Sequence, residues 1–183
     1  MAVSLRTRRL VLREWREEDA EPFAAMSADP AIMQYLVPFP DRAAMDAWVA
    51  AARTHWREHG FGQWVVEGEA PFIGVVGLSR VRFALPFAPA VEAAWRLARP
   101  YWGRGYAYEA ARAAIDDGFG RLGLDKIVAF TVPANLASRR VMEKLGMTRD
   151  PAEDFDFEHP RLPPGHPLRR HVLYRLRRAV PAA

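Results

Sequence analysis

The chain changes its apolar period several times, and the order of those changes limits its fold more than any other feature. Residues 10–13, Leu-Val-Leu-Arg, are a short apolar run that reads as a strand. Asp19 can cap the helix that follows, with Pro22 early in it and Phe23 and Met26 on one face. Asp29-Pro30 breaks that helix. Over residues 41–59, Met45, Trp48, Val49, Ala52 and Trp56 recur at helical spacing, and Gly60 is a good stop. The texture then turns to β. Residues 62–66 and 72–81, rich in Val, Ile, Phe and Trp, flank a Gly68-Glu69-Ala70-Pro71 turn; after a loop over 86–89, Val91–Leu97 is the next strand. Helical spacing returns after Gly105 in Ala107, Ala111, Ala114, Ile115, Phe119 and Leu122, and Gly123 ends it. Residues 126–132 read as a strand, and a helix opened by Ala134 or Asn135 runs to Leu145 and stops at Gly146. Residues 150–168, with two His-Pro pairs, form an irregular loop ordered by Phe155 and Phe157, before a last strand over 171–176. The order βαα, three strands, α, β, α, β predicts an α/β (α+β) fold, a mixed sheet with helices on it.

Length and composition narrow the class. A chain of 183 residues with no internal repeat and no linker suits one domain over 1–183. No run of roughly 18 apolar residues offers a membrane span, and the N-terminus lacks the apolar stretch of a secretory signal. The absence of cysteine excludes disulfides, thiolate nucleophiles and cysteine-based zinc sites, so the cytoplasm is the simplest compartment. The net charge of +4 comes mostly from arginines near both ends. They either draw a polyanion, nucleic acid or a phosphorylated cofactor, or form a solvated surface. No stacking aromatics interleave with them, so nucleic-acid binding ranks last. The histidines show no metal spacing: His159 and His166 precede proline and order turns, and nothing acidic completes a site with His55 and His59. Trp48 and Trp56, at helical spacing, read as core or as the wall of a cleft.

The segment from Val91 to Ala107 carries the chemistry. A strand ends, a loop with Gly103 and Gly105 follows, and a helix begins. Free backbone N–H groups then converge on one spot with the positive end of the helix dipole behind them, which is a cradle for phosphate. A plain strand-to-helix turn would also use glycine. No Gly-Lys-Ser/Thr makes it a Walker loop, and the third glycine of a dinucleotide fingerprint is missing.

Tyr101-Trp102-Gly103-Arg104-Gly105-Tyr106-Ala107-x-Glu109-Ala110 resembles the acetyl-CoA pyrophosphate loop of the GNAT superfamily of N-acetyltransferases. Asn135-x-x-Ser138-x-x-Val141-Met142-Glu143-Lys144-Leu145-Gly146-Met147 resembles the second half of the same cofactor site, and Thr7-x-Arg9-Leu10-x-Leu12-Arg13 the start of the family. The likeness is to the Rim-type branch, which acetylates N-terminal amines of ribosomal proteins. It implies a single GNAT domain whose twisted sheet splays between the strands ending at Leu97 and Val132 to admit pantetheine. It implies acetyl-CoA as co-substrate, an amine acceptor, no metal, and leaves a homodimer open. Where many members carry a general-acid tyrosine, this chain has Met142; the Rim-type branch has a serine at the place of Ser138, one turn away on the same helical face. The missing tyrosine keeps a second reading, a non-catalytic acyl-CoA sensor, in play.

The resemblance assigns cofactor contacts to the backbone of Trp102, Gly103, Arg104, Gly105, Tyr106 and Ala107, with help from the Arg104 side chain. Pantetheine would pair with Leu97, Ala98 and Arg99, and Asn135 would touch it from the other side unless it only caps its helix. Backbone N–H groups near Trp95 to Leu97 are candidates for the oxyanion. Glu92, an acid in an apolar run, is the candidate base; its alternative is a solvent-facing place on the strand's other face. Ser138 either helps the leaving thiolate or satisfies a backbone group at the helix start.

Overall fold

The sheet is assembled where the β texture begins. The computed structural model describes residues 3–179; the ends of the expected 1–183 domain, residues 1–2 and 180–183, lie outside the described residues. The strands are β1 (Leu5–Arg6), β2 (Val11–Arg13), β3 (Gln63–Glu67), β4 (Gly74–Arg80), β5 (Val91–Leu97), β6 (Lys126–Thr131), β7 (Thr148–Arg149), β8 (Phe155–Asp156) and β9 (Arg170–Arg177). They lie in the order β1-β2-β3-β4-β5-β6-β9-β7, with β8 also paired to β9. All neighbours are antiparallel except β5 and β6. That one parallel pair needs a crossover, and the helix predicted after Gly105 supplies it as α4 (Tyr106–Gly120). The other helices are α1 (Ala20–Ser27), α2 (Pro30–Met33), α3 (Arg42–His59) and α5 (Leu136–Lys144).

Strand alternation divides the core between two faces. Leu78 of β4 points to α4, where a Cβ added to Gly118 would lie 2.7 Å from Leu78 Cδ1, so glycine there lets helix and sheet close up. Its neighbour Ser79 points the other way, opposite Glu92 and toward α3. Trp64, Val65, Val66, Ile73, Leu78, Ile115 and Ile127 are fully buried at the centre. A second cluster of Leu85, Val128, Phe155, Phe157, Leu162 and Leu173 pins the proline-rich segment to the end of the sheet, as Phe155 and Phe157 predict.

Three expectations need correction. Asp19 does not cap α1 through its side chain. Its carboxylate is buried and accepts two hydrogen bonds of 2.7 Å from Arg13 and one from the Arg16 amide, while Arg13 also pairs with Glu67. A buried guanidinium outcompetes a helix amide for a carboxylate because an unpaired buried charge costs more than an open cap. Helix α4 ends at Gly120 rather than at Gly123, which instead takes a left-handed turn (φ 64°) before β6. The proline-rich segment is not wholly irregular: it holds a 3-10 turn, Pro151–Glu153, and β8.

Candidate active site

Two glycines shape the loop after β5. Gly103 (φ 73°) and Gly105 (φ 79°) both sit in the left-handed region, where a side chain is strained. The first amide of α4 with a backbone acceptor is that of Glu109, bonded to Gly105 O at 3.0 Å. The amides of Tyr106, Ala107 and Tyr108 therefore point out of the helix end, as those of any first turn do. Gly105 heads the helix without a side-chain cap, so no protein carboxylate or hydroxyl competes there for an anion. The amide of Trp102 is already used, donating to Arg99 O at 3.2 Å. The Arg104 side chain is drawn aside to Glu69 of the β3–β4 turn. Residues near the N-terminus brace the loop. Thr7 Oγ1 (2.6 Å), the Arg9 amide (2.9 Å) and Arg9 Nε (2.7 Å) all donate to Glu109, and Arg9 Nη1 donates to Arg104 O at 3.0 Å. Burial opposes charge on Glu109, but these donors hold its carboxyl below the usual carboxylate range. Thr7, Arg9 and Glu109 entered the sequence reading only through family likeness. No local pattern pairs residues a hundred positions apart.

The backbone of β5 divides its hydrogen bonds by parity. Val81 N bonds to Ala90 O and Ala98 N to Ile73 O, at the two ends of the β4–β5 ladder. Between them, the N–H and C=O groups of Glu92, Ala94 and Arg96 face β4, and those of Ala93, Trp95 and Leu97 face β6. Yet β6 pairs with β5 only at Glu92 and Val128. Beyond that point the two strands part, as the resemblance predicts, and the Trp95 and Leu97 amides open into the gap. Trp102 Nε1 closes its lower edge by donating to Leu97 O at 2.8 Å. Ala98, with its amide spent on Ile73, and exposed Arg99 lie just below.

The side chains of β5 alternate too. Glu92 faces α3, across from Ser79, and lines a cavity of about 200 Å3 with Trp48, Ala52, His55, Gln63, Ser79, Arg80, Arg82 and Phe83. Burial pushes its carboxyl up to about 7, against smaller opposing effects of a 3.4 Å hydrogen bond from Ser79 and the charge of Arg82. Its side chain is half-buried on the α3 side of the strand. His55, nearby, is committed elsewhere: Nδ1 donates to Phe61 O at 2.8 Å and Nε2 accepts from the Arg80 amide at 3.1 Å. Burial pushes its imidazole down, and its lone pair is occupied, so it serves as a neutral prop and not as a base. Trp48 lines this cavity, whereas Trp56 is a core residue whose edge borders a different cleft. A larger cleft of about 430 Å3, lined by Trp15, Arg53, Trp56 and Arg57 among others, touches none of β5, α4 or α5.

Helix α5 borders the gap from the side of β6. Asn135 is its N-cap: Oδ1 accepts from the Ser138 amide at 3.2 Å, and Nδ2 donates to Thr131 Oγ1 at 3.0 Å. One amide hydrogen of Asn135 remains available. The cap is Asn135's work, so Ser138 does not satisfy its helix start through its hydroxyl. Ser138 is half-buried, with buried Met142 one turn further on. Tyr174 of β9 fixes the helix, accepting from Arg139 at 3.3 Å and donating to Glu143 at 3.0 Å. Among the described residues, no cluster of three or more His, Cys, Asp or Glu forms a metal site, and no helix is long and apolar enough to cross a membrane.

Residues 9–148 match the family described as acetyltransferase (GNAT) domain. Uncharacterized protein YkkB of Bacillus subtilis is 34% identical over 77% of this chain and 83% of its own length. FsC-acetyl coenzyme A-N(2)-transacetylase of Aspergillus fumigatus is 31% identical over 88% of this chain and 71% of its own. The solved acetyltransferase from Agrobacterium tumefaciens str. C58 matches with a TM-score of 0.77 at 28% identity, covering 96% of this chain and 95% of that one.

Proposed function

Because the chain belongs to the GNAT acetyltransferase family and is an acetyl-CoA-dependent acyltransferase, we propose that it transfers acetyl to a primary amine by direct attack on the thioester. The acceptor is a protein N-terminal amine or a small-molecule amine. One observation carries the reading: the gap between β5 and β6 receives two unpaired strand amides and opens beside a left-handed glycine loop at a helix start. Acetyl-CoA fits that arrangement, since its pyrophosphate suits the amides at the head of α4 and its extended arm suits a strand edge.

Each residue then has a task. Gly103 to Ala107 hold the pyrophosphate through backbone amides, with Arg104 free to leave Glu69 for it. Leu97, Ala98 and Arg99 flank the pantetheine arm, and the spare amide hydrogen of Asn135 meets it from α5. Glu92 takes a proton from the acceptor ammonium, freeing the nitrogen lone pair. That pair forms a C–N bond at the thioester carbonyl as the C=O π pair moves onto oxygen, and the Trp95 amide stabilises the resulting oxyanion. The carbonyl then re-forms as the C–S bond breaks, and the nitrogen sheds its second proton to solvent. Ser138 donates a hydrogen bond to the departing thiolate. A hydroxyl is too weak an acid to supply the proton outright, so the final protonation comes through solvent. Within the family the chain groups with the Rim-type branch on Trp102 and Ser138, and we assign it to the cytoplasm. The test is thiol release from acetyl-CoA over an amine panel. Turnover with a primary amine supports the reading, and tight acetyl-CoA binding without turnover on any amine turns it into the acyl-CoA sensor.

A further inference from the structure

Arg96, half-buried, is treated unlike the buried Arg13. Arg13 is held by two carboxylates, Asp19 and Glu67. Arg96 has no carboxylate within 4.0 Å among the described residues, and its one side-chain hydrogen bond is to Ser27 Oγ at 3.4 Å. Three rings surround its guanidinium instead: Phe23 at 5.6 Å, Trp48 at 5.6 Å and Phe39 at 5.8 Å, with Phe23 and Trp48 stacked on each other. Burial alone pushes it down to about 10, and no acid offsets that cost. It nevertheless stays charged at neutral pH. No buried side-chain nitrogen among the described residues lacks a partner, so the Nε and Nη2 that bond nothing must reach solvent. An unpaired but reachable guanidinium in an apolar wall is a receptor for a planar anion.

Its position says which anion. Side chains of Glu92, Ala94 and Arg96 share one face of β5, so Arg96 lies on the same side as the candidate base, at a Cα separation of about 13 Å. Trp48 belongs to both places, packing on Arg96 and lining the cavity of Glu92. The coenzyme phosphates belong to the loop heading α4, which covers the opposite face, so they do not compete for Arg96. Arg80 and Arg82 also line the cavity, and Glu92 is the one acid in its wall. A second cation on the acceptor would face three arginines.

Resting on the acetyltransferase reading above, we propose that the acceptor is an amine that also carries a carboxylate, an α-amino acid or a close analogue with an apolar body, and that Arg96 holds the carboxylate. The amine then lies over Ala94, between Glu92 and Arg96, beside the gap that opens at Trp95. Phe39 and Trp48, both half-buried, meet the apolar body, with Phe23 packed behind them, and keep water from the ion pair, which strengthens it.

The probes are L-phenylalanine, L-leucine, their amides and spermidine. Calorimetry on the protein saturated with coenzyme A reads the subsite without turnover. The free acids should bind about 10- to 100-fold more tightly than the amides, the range of one charge-assisted hydrogen bond. Arg96→Met should bring that ratio close to one, and Arg96→Lys, which keeps the charge and loses the fork, should fall between. Thermal melting checks that each variant is folded. If the acids bind no better than the amides, if spermidine binds best, or if both Arg96 variants keep the wild-type ratio, the carboxylate subsite is overturned. Acid-selective binding without thiol release would sustain the subsite and overturn the acetyltransfer reading alone.

Discussion

Glu92 is a residue whose sequence context left its surroundings open, and the fold sets it half-buried in the cavity beside α3. Its carboxyl is pushed up to about 7 from an ordinary 4.5, so the folded protein holds a proton there that the unfolded chain has released between those pH values. The sign is therefore fixed: the contribution to stability is present below about pH 4.5 and lost as pH rises through about 7. Glu92→Gln should be more stable than the parent above pH 7, by up to about 3 kcal/mol, and equal to it near pH 4. Denaturant midpoints at both pH values check this. As a base, Glu92 must be ionised, so kcat/KM should rise with pH through about 7 in the parent and lose that limb in the variant. An unaltered limb assigns the deprotonation elsewhere. Ser138 and Asn135 separate in the same manner. Ser138→Ala should lower kcat about ten- to a hundredfold with acetyl-CoA binding little changed, the pattern of an interaction made in the transition state. Its stability should change little, because Asn135 supplies the cap. Asn135→Ala should cost about 1 kcal/mol in stability. Full turnover in Ser138→Ala would remove its catalytic role.

At the scale of elements, the loop between β5 and α4 depends on backbone shape more than on side chains. A Cβ at Gly105 would find Arg9 Nη2 at 3.4 Å and little else, so space is not the obstacle; the φ of 79° is. Gly105→Val forces a β-branched residue into that region, at roughly 1–2 kcal/mol for the left-handed conformation. It also points a side chain toward the phosphate cradle. Acetyl-CoA affinity, measured by calorimetry, should fall well over tenfold in a protein that still folds; unchanged affinity would move the phosphates elsewhere. Parity along β5 gives a second expectation. In hydrogen exchange followed by NMR, the amides of Ala94 and Arg96 should be protected in the free protein by β4. Those of Trp95 and Leu97 should gain protection when acetyl-CoA binds. Equal protection of all four before binding would mean that the gap is already filled by protein.

Across the whole molecule, what was legible in the sequence was what is local. Turn residues and apolar periods placed the longer helices and all the long strands, with Val91–Leu97 and the helix after Gly105 falling where the spacing put them. The glycine loop was legible for the same reason: a left-handed turn before a helix is written in adjacent residues. Two-residue strands such as β1 and β7 were not, because two positions carry no period. Nor did the sequence show that Asp19 would abandon its helix for Arg13, or that Thr7 and Arg9 would brace Glu109. Those outcomes turn on which charges and donors meet after the chain folds back on itself. Arg96 is the clearest instance. In the sequence it is one arginine after a tryptophan, and only packing against α1, α3 and the segment that leads into α3 gives it three rings and no carboxylate. Periodicity decides which face a side chain takes, but desolvation and pairing depend on what the other elements bring to that face.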